Sequence, residues 1–180
     1  LKKAHELNDN DFEVHRLMAE VNLSGRNFRV AERHASKAYK MVPNDPRVLS
    51  VFGEVSLRLG KIDQGLDALK LALEIDPIAQ GKTNSDSRTS PVLFGEYLAR
   101  NKDNCLELVE KLEDIDPKSW LLTAKLCSDE EHDITEEDWY KRGKEEFKDK
   151  DWAAEVDSFR LNNEGAKESL IEFAEGLLKA

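Results

Sequence analysis

The sequence has few of the residues that cross-link a fold or interrupt its helices. Its 180 residues include two cysteines, five prolines and nine glycines. The two cysteines, Cys105 and Cys127, are too few for a disulfide framework and lack the spacing of a metal site. Both fall at apolar positions of helical patterns, where we expect buried free thiols. This usage favours a reducing compartment such as the cytoplasm, and nothing else in the sequence indicates a location.

Long hydrophobic runs and strand patterns are also missing. No run of about 18 apolar residues occurs, so we expect no insertion into a membrane. Alternation of apolar and polar residues, the pattern of a half-buried strand, is nearly absent, and good helix formers dominate. Apolar residues make up 39% and charged residues 36%, a balance typical of elongated helical arrays rather than compact enzymes. The composition therefore predicts an all-α fold.

Positive charge is scarce in the second half of the chain. Residues 1–90 contain 14 Lys and Arg against 13 Asp and Glu, whereas residues 91–180 contain 13 against 24. Nucleic acids and anionic membranes bind to basic patches, so this distribution argues against a nucleic-acid partner. We expect the acidic half to present a solvated helical surface.

Motifs that carry chemistry are absent as well. The four histidines, His5, His15, His34 and His132, are scattered without the spacing of a metal site. Gly81-Lys82-Thr83 lacks the earlier glycine that a phosphate-binding loop requires. No serine or cysteine lies in a recognisable nucleophile motif. The sequence therefore predicts a protein that is not an enzyme and that has no catalytic residue, cofactor or metal.

What the sequence does contain is an internal repeat with a period of about 34 residues. Pro43 and Pro77 lie one period apart, and each closes a similar helical run. Proline ends a helix because it has no amide hydrogen to donate. We expect small residues to lie where two helices touch, because they let the backbones approach. Such residues recur at the same offset in three pairs: Ala19 with Gly53, Ala31 with Gly65, and Ala38 with Ala72.

Helix starts and core positions can also be assigned from the pattern. Asp45-Pro46 is expected to begin a helix, with Asp as the cap and Pro in the first turn. Thr135, which precedes three acidic residues, is expected to cap a later helix. The tryptophans at 120, 139 and 152 fall at core positions of helical patterns, so we expect them to pack in the interior.

The repeat resembles that of the tetratricopeptide repeat family. Gly25 lies one residue before the turn glycine of the family, and Ala35 replaces a usually large residue. The resemblance implies a right-handed superhelix of antiparallel helical hairpins, whose first helices line a concave groove that binds a protein or a peptide. The matching residues are Met18-Ala19, Phe28, Ala31, Ala38 and Pro43, followed by Leu49, Phe52-Gly53, Gly60, Ile62, Gly65, Leu69, Ala72 and Pro77.

The resemblance divides the chain into five segments. Residues 1–8 are expected to be the last turns of an earlier repeat, as if the chain were part of a longer array. Residues 12–77 are predicted to be two well-formed repeats, and residues 78–91 a polar loop. Residues 92–161 are predicted to form degenerate repeats, and residues 164–180 a C-terminal capping helix.

The groove implied by the resemblance can be assigned to particular residues. Its mixed charges and leucines suit an amphipathic peptide that carries both signs of charge. One subtype of the family grips a terminal carboxylate with Lys and Asn. The test positions here hold Arg16, Glu20 and Val51, which argues against that subtype. The groove residues are Glu13, Arg16, Glu20, Leu23, Arg47, Ser50, Glu54, Leu57 and Arg58.

The predicted function is that of a scaffold or adaptor that binds another protein. The alternative is a regulatory or targeting segment of a larger enzyme whose catalytic domain lies outside this chain. The sequence leaves the identity of the partner open, and also whether the chain forms a homo-oligomer.

Overall fold

The computed structural model describes residues 10–76, 89–112, 115–159, 161 and 164–179. These residues form ten α-helices and no β-strand, which confirms the all-α prediction for this part of the chain. None of these helices is long and apolar enough to cross a membrane. The helices are α1 Phe12–Ser24, α2 Phe28–Met41, α3 Pro46–Arg58, α4 Ile62–Ile75, α5 Thr89–Leu98, α6 Lys102–Glu110, α7 Pro117–Asp129, α8 Asp138–Glu146, α9 Trp152–Ser158 and α10 Glu164–Lys179.

The chain forms two compact units, with a boundary inside α5 between Gly95 and Glu96. Unit 1 contains α1 to α4 and the start of α5, and unit 2 contains the end of α5 and α6 to α10. The predicted remnant of an earlier repeat at residues 1–8 and most of the predicted loop at 78–91 lie outside the described residues. The end of that loop prediction is wrong, because α5 already begins at Thr89. Pro91 is tolerated there, since the first amide hydrogens of a helix have no partner within it.

Unit 1 consists of two antiparallel helical hairpins, α1 with α2 and α3 with α4, and α2 also packs on α3. The antiparallel direction is visible in α3 and α4, where Gly53 faces Leu69 and Leu57 faces Gly65. Small residues lie at the contacts, as predicted. Ala19, Ala31, Ala38 and Ala72 are at most 1% exposed, so each lies in a helix interface rather than at the surface.

The turns that end α1, α3, α5 and α7 share one backbone conformation. Each places a residue in the left-handed region: Arg26 at φ 59°, Gly60 at 76°, Arg100 at 59° and Glu131 at 53°. In each turn the next amide donates to the carbonyl five residues earlier, at 2.8 to 2.9 Å. This is the Schellman arrangement, which satisfies carbonyls at a helix end. Arg26 and Gly60 lie one period of the repeat apart, so the backbone follows the period of the sequence.

Aspartates cap four of the helices. The Asp45 carboxylate accepts from the amides of Arg47 and Val48 at 2.9 and 3.3 Å, which confirms the predicted start of α3. Asp11, Asp116 and Asp151 cap α1, α7 and α9 in the same way. The prediction for Thr135 is wrong. Its amide and hydroxyl donate to Asp133, and α8 begins three residues later, at Asp138.

Unit 2 is built around α7, which contacts α6, α8, α9 and α10. Trp120 on α7 is fully buried, and Trp139 and Trp152 are 2% and 3% exposed, so all three tryptophans pack in the interior as predicted. Trp120 stacks on Tyr140 and Trp152 with ring centroids 5.8 Å apart, and its indole Nε1 donates to the Tyr140 carbonyl at 3.2 Å.

The C-terminal segment forms α10, Glu164–Lys179, within the helix predicted over residues 164–180, and residue 180 lies outside the described residues. It packs against α7 and α9 and buries Leu170 and Ala174. Lys167, only 8% exposed, pairs with Asp157 on α9 at 3.0 Å, so one polar contact accompanies the apolar ones.

The tight contact between α3 and α4 predicts a large cost for any side chain at Gly53. A Cβ atom there would lie 2.6 Å from Leu69 Cγ and 2.9 Å from the Gly65 carbonyl oxygen. We expect Gly53→Ala to lower the free energy of unfolding by about 1–3 kcal/mol, measured by urea denaturation, because overpacking forces the helices apart. In Gly176→Ala, the control, the new Cβ meets no atom within 4 Å, and we expect unchanged or slightly higher stability. An unchanged midpoint for Gly53→Ala would contradict the packing described.

The left-handed turns predict opposite effects of two substitutions. Arg26 is held in a conformation that glycine adopts freely, so Arg26→Gly should raise the free energy of unfolding by about 1 kcal/mol. Gly60→Ala should lower it by a similar amount, although nothing lies within 4 Å of the added carbon. Thermal unfolding followed by circular dichroism would show both changes. Equal effects of the same sign would contradict the assigned turn conformation.

Candidate partner-binding site

The predicted groove residues lie on α1 and α3, the first helices of the two hairpins in unit 1. These two helices contact each other. Their capping residues, Asp11 and Asp45, also lie one period apart, so corresponding positions of the two helices follow the offset of the repeat. Spacings of three and four residues keep each set on one side of its helix.

On α1, three predicted residues form one ion-pair network. The Arg16 guanidinium donates to both oxygens of Glu13, from Nε at 2.9 Å and from a terminal nitrogen at 2.7 Å. Its other terminal nitrogen pairs with Glu20. The Arg16 side chain is only 11% exposed, whereas those of Glu13 and Glu20 are 37% and 42% exposed. The carboxylates therefore face solvent, and the arginine lies beneath them.

Arg47 extends this network from α1 to α3. Its guanidinium donates to Asp45 at 2.9 Å and lies 3.6 Å from the Glu13 carboxylate. Half of the Arg47 side chain is exposed, at 51%. The structure thus brings Glu13, Arg16, Glu20 and Arg47 together, as a stripe shared by the two first helices.

The network lowers the pKa of its carboxyl groups. The hydrogen bonds from Arg16 hold the pKa of Glu13 below its ordinary value, and the charges of Arg16 and Arg47 act in the same direction. Partial burial raises the pKa of Asp45, but the hydrogen bonds from the Arg47 side chain and from the amides of Arg47 and Val48 outweigh it. The net shift of the Asp45 pKa is downward, so both groups are ionised at neutral pH.

Three further predicted residues are only partly accessible. Ser50 is half-buried, and its hydroxyl donates to the Pro46 carbonyl of its own helix at 2.8 Å. Glu54 is half-buried on the next turn. Leu23 packs against the core cluster that includes Ala19 and Ala31, so most of its apolar surface is used within unit 1.

The last two predicted residues do not belong to the exposed stripe. Leu57 is 4% exposed and lies against Gly65 on α4 and Gly95 on α5. The Arg58 guanidinium lies 4.8 Å from the centre of the Phe94 ring, in a cation–π contact. The assignment of Leu57 to a ligand-facing surface therefore needs correction, because α5 also packs on this end of α3.

The structure reveals one contact that the sequence reasoning missed. The Nδ1 atoms of His15 on α1 and His34 on α2 are 3.0 Å apart, so one ring donates a hydrogen bond to the other. His15 is fully buried, which places this polar contact inside the first hairpin. The signal was their position, since the two histidines lie at nearly equal distances from the turn at Gly25 and Arg26.

The two cysteines are buried and form no disulfide with each other, as predicted. Burial raises the pKa of Cys105 to about 12 and that of Cys127 to about 11. Both therefore remain protonated thiols at neutral pH, the form that is a poor nucleophile.

The sequence matches no family model and no curated protein. The resemblance to tetratricopeptide repeats thus depends on the residues and on their spacing.

The network predicts a pH-dependent effect of Glu13→Gln. The lowered pKa of Glu13 means that its charge stabilises the fold above its unfolded pKa, and that this contribution is lost as the pH falls through the folded value. Because the pair is partly exposed and screened, Glu13→Gln should cost less than about 1 kcal/mol near neutral pH. Urea denaturation should show the two proteins converging in acid.

The control for this experiment is Glu74→Gln, at an exposed position on α4. It should change stability little at either pH. If the difference in free energy of unfolding between wild type and Glu13→Gln stays constant from neutral to acidic pH, the effect comes from packing and not from charge.

Proposed function

We propose that the chain is a non-catalytic protein-interaction module, a scaffold or adaptor of the tetratricopeptide type. In this proposal its hairpins continue as a right-handed superhelix, and the exposed sides of α1 and α3 receive a segment of a partner protein. The repeat supports the proposal, because the starts of α1 and α3 lie one period apart, as do those of α2 and α4.

The observation that carries the proposal is the ion pair between Arg47 and Glu13. It joins the first helices of successive hairpins at one face, at an N···O distance of 3.6 Å. A segment lying across this face would meet charged groups from both repeats. Binding along such a stripe is the way in which stacked repeats form extended binding surfaces.

The accessible charges suggest the chemistry of the partner. Arg16 is enclosed, so a ligand reaches mainly the carboxylates of Glu13 and Glu20 and the guanidinium of Arg47. Because their pairing already restrains these side chains, binding would cost less rotamer entropy. The partner segment would carry both signs of charge, with a basic group near Glu20 and an acidic group near Arg47.

The proposed absence of chemistry is consistent with the state of the two cysteines. Cys105 and Cys127 are buried thiols whose pKa values lie far above neutral pH. Neither offers the thiolate that nucleophilic catalysis requires.

The test is the effect of Arg47→Glu on partner capture. The immobilised chain is incubated with native lysate, and bound proteins are quantified by mass spectrometry. We expect Arg47→Glu to reduce the capture of specific partners at least tenfold, or about 1.4 kcal/mol, because it places a third carboxylate beside Glu13 and Asp45. Arg58 is left unchanged, because replacing it would remove its contact with Phe94.

The matched control is Arg33→Glu, which makes the same charge change at an exposed position of the second helix α2. It should leave the captured set unchanged, and circular dichroism should show that both variants fold. Equal capture by wild type and Arg47→Glu, or equal losses in the two variants, would contradict binding on α1 and α3.

A further inference from the structure

Unit 2 contains a cleft of about 320 Å³ that the function proposed above does not use. It lies between α7, α10, the start of α8 and the segment that joins α7 to α8. Its volume is near the lower end of the range for small-ligand sites, so it can hold one large side chain or two smaller ones.

The floor of this cleft is apolar. Ala124 on α7, Tyr140 on α8 and Ile134 on the joining segment are buried beneath it. Phe173 and Leu177 on α10 form one wall and are only half-buried. These side chains leave apolar surface in contact with solvent, which an apolar group of a partner could cover.

The rim of the cleft is acidic. Glu131 and Asp133 line it together with His132, and both carboxylates are on exposed residues. Neither forms an ion pair with a lysine or arginine in the described part of the chain. The segment from Ser128 to Asp138 contains seven Asp and Glu and no Lys or Arg.

Hydrogen bonds fix the backbone at Glu131 and the carboxylate of Asp133. The Glu131 amide donates to the Ser128 carbonyl at 3.2 Å, and the next amide closes the turn onto Cys127 at 2.9 Å. Asp133 accepts from the amide and hydroxyl of Thr135 at 2.9 and 2.8 Å. The backbone that carries Glu131 and the carboxylate of Asp133 are therefore positioned before any ligand arrives.

Lys125, which lies beside the cleft wall, does not neutralise the rim. Lys125 lies 5.3 Å from the centre of the Phe173 ring and is paired with Asp129 on its own helix. Asp129 also accepts from Arg100 at 3.1 Å. Lys125 and Arg100 are therefore both paired with Asp129. The carboxylates of Glu131 and Asp133 remain accessible to a ligand.

We propose that this cleft is a second interaction site, which docks a basic segment of another protein by seating one large apolar side chain between α7 and α10. Lysine or arginine residues that flank the seated side chain would lie against Glu131 and Asp133. An apolar floor with a ring of one charge selects such a segment over an acidic or a purely apolar one. The site does not depend on the stripe on α1 and α3.

The experiment measures the binding of a defined probe by fluorescence anisotropy at low salt. The probe is a fluorescein-labelled peptide with one central leucine flanked on each side by lysine pairs. A second probe replaces the leucine with serine at the same charge. We expect the leucine probe to bind at least fivefold more tightly, because only it can fill the apolar floor.

Two variants locate the probe on the protein. Glu131→Gln with Asp133→Asn removes both rim charges while the asparagine still accepts from Thr135, and should weaken binding at least tenfold. Glu168→Gln with Glu172→Gln removes the same charge from exposed positions of α10 that do not line the cleft, and should change binding less than twofold. Ser128→Phe, at an exposed position on the cleft edge, should fill the cleft and abolish the preference for leucine.

Three outcomes would overturn the proposal. Equal weakening by the two double variants would show that the probe responds only to overall charge. Equal affinity of the leucine and serine probes would show that the apolar floor is not used. An unchanged preference for leucine in a folded Ser128→Phe variant, checked by circular dichroism, would place the apolar contact elsewhere.

Discussion

The arrangement of unit 1 depends on the close approach of α3 and α4 at Gly53 and Gly65. A Cβ atom at either glycine would lie 2.9 to 3.0 Å from the other's carbonyl oxygen, so the two backbones are in contact. Leu69 and Leu57 then cover the glycines from the opposite helix. Adding atoms to such a contact costs more free energy than a surface ion pair contributes. The close contact at the glycines therefore sets the distance between α3 and α4. The rotation of α3 about its axis follows, and with it the side on which Arg47 meets Glu13.

Unit 2 meets the same requirement for close contact with a different set of side chains. Trp120 occupies the space against α8 where Gly143 has no side chain, and a Cβ atom at Gly143 would lie 2.2 Å from its ring. Tyr140, Phe147 and Trp152 surround the same indole. A central aromatic side chain therefore replaces the paired small residues of unit 1. This substitution explains why the repeat pattern weakens along the sequence while the helices remain.

Local signals in the sequence were sufficient for much of the fold. The small residues, the regular offset between repeats and the Asp45-Pro46 start each reflect contacts within one helix or one hairpin, and these appear in the structure. The Thr135 cap failed because the Thr135 amide donates to Asp133, two residues earlier. A side chain that accepts from a nearby backbone amide can displace the start of a helix. The turn at Arg26 shows a similar limit. Gly25 lies one residue before the turn glycine of the family and has φ −81°, and the left-handed conformation falls on the arginine at that turn position.

The candidate site was less predictable. Helical spacing shows which residues share one side of a helix, but not which other elements pack against that side. Glu13, Arg16 and Glu20 follow from spacing alone, whereas the burial of Leu57 depends on Gly65 of α4 and on α5, a helix that follows later in the chain. Electrostatics separates the two surfaces further. In the stripe each accessible charge already has a partner, so a ligand that shares these ion pairs would gain more in specificity than in affinity. Among the described residues, Glu131 and Asp133 form no ion pair with a lysine or arginine. A basic ligand at the cleft could therefore pair with them without displacing such a side chain. In the two proposals the stripe would select among partners, and the cleft would attract a basic one.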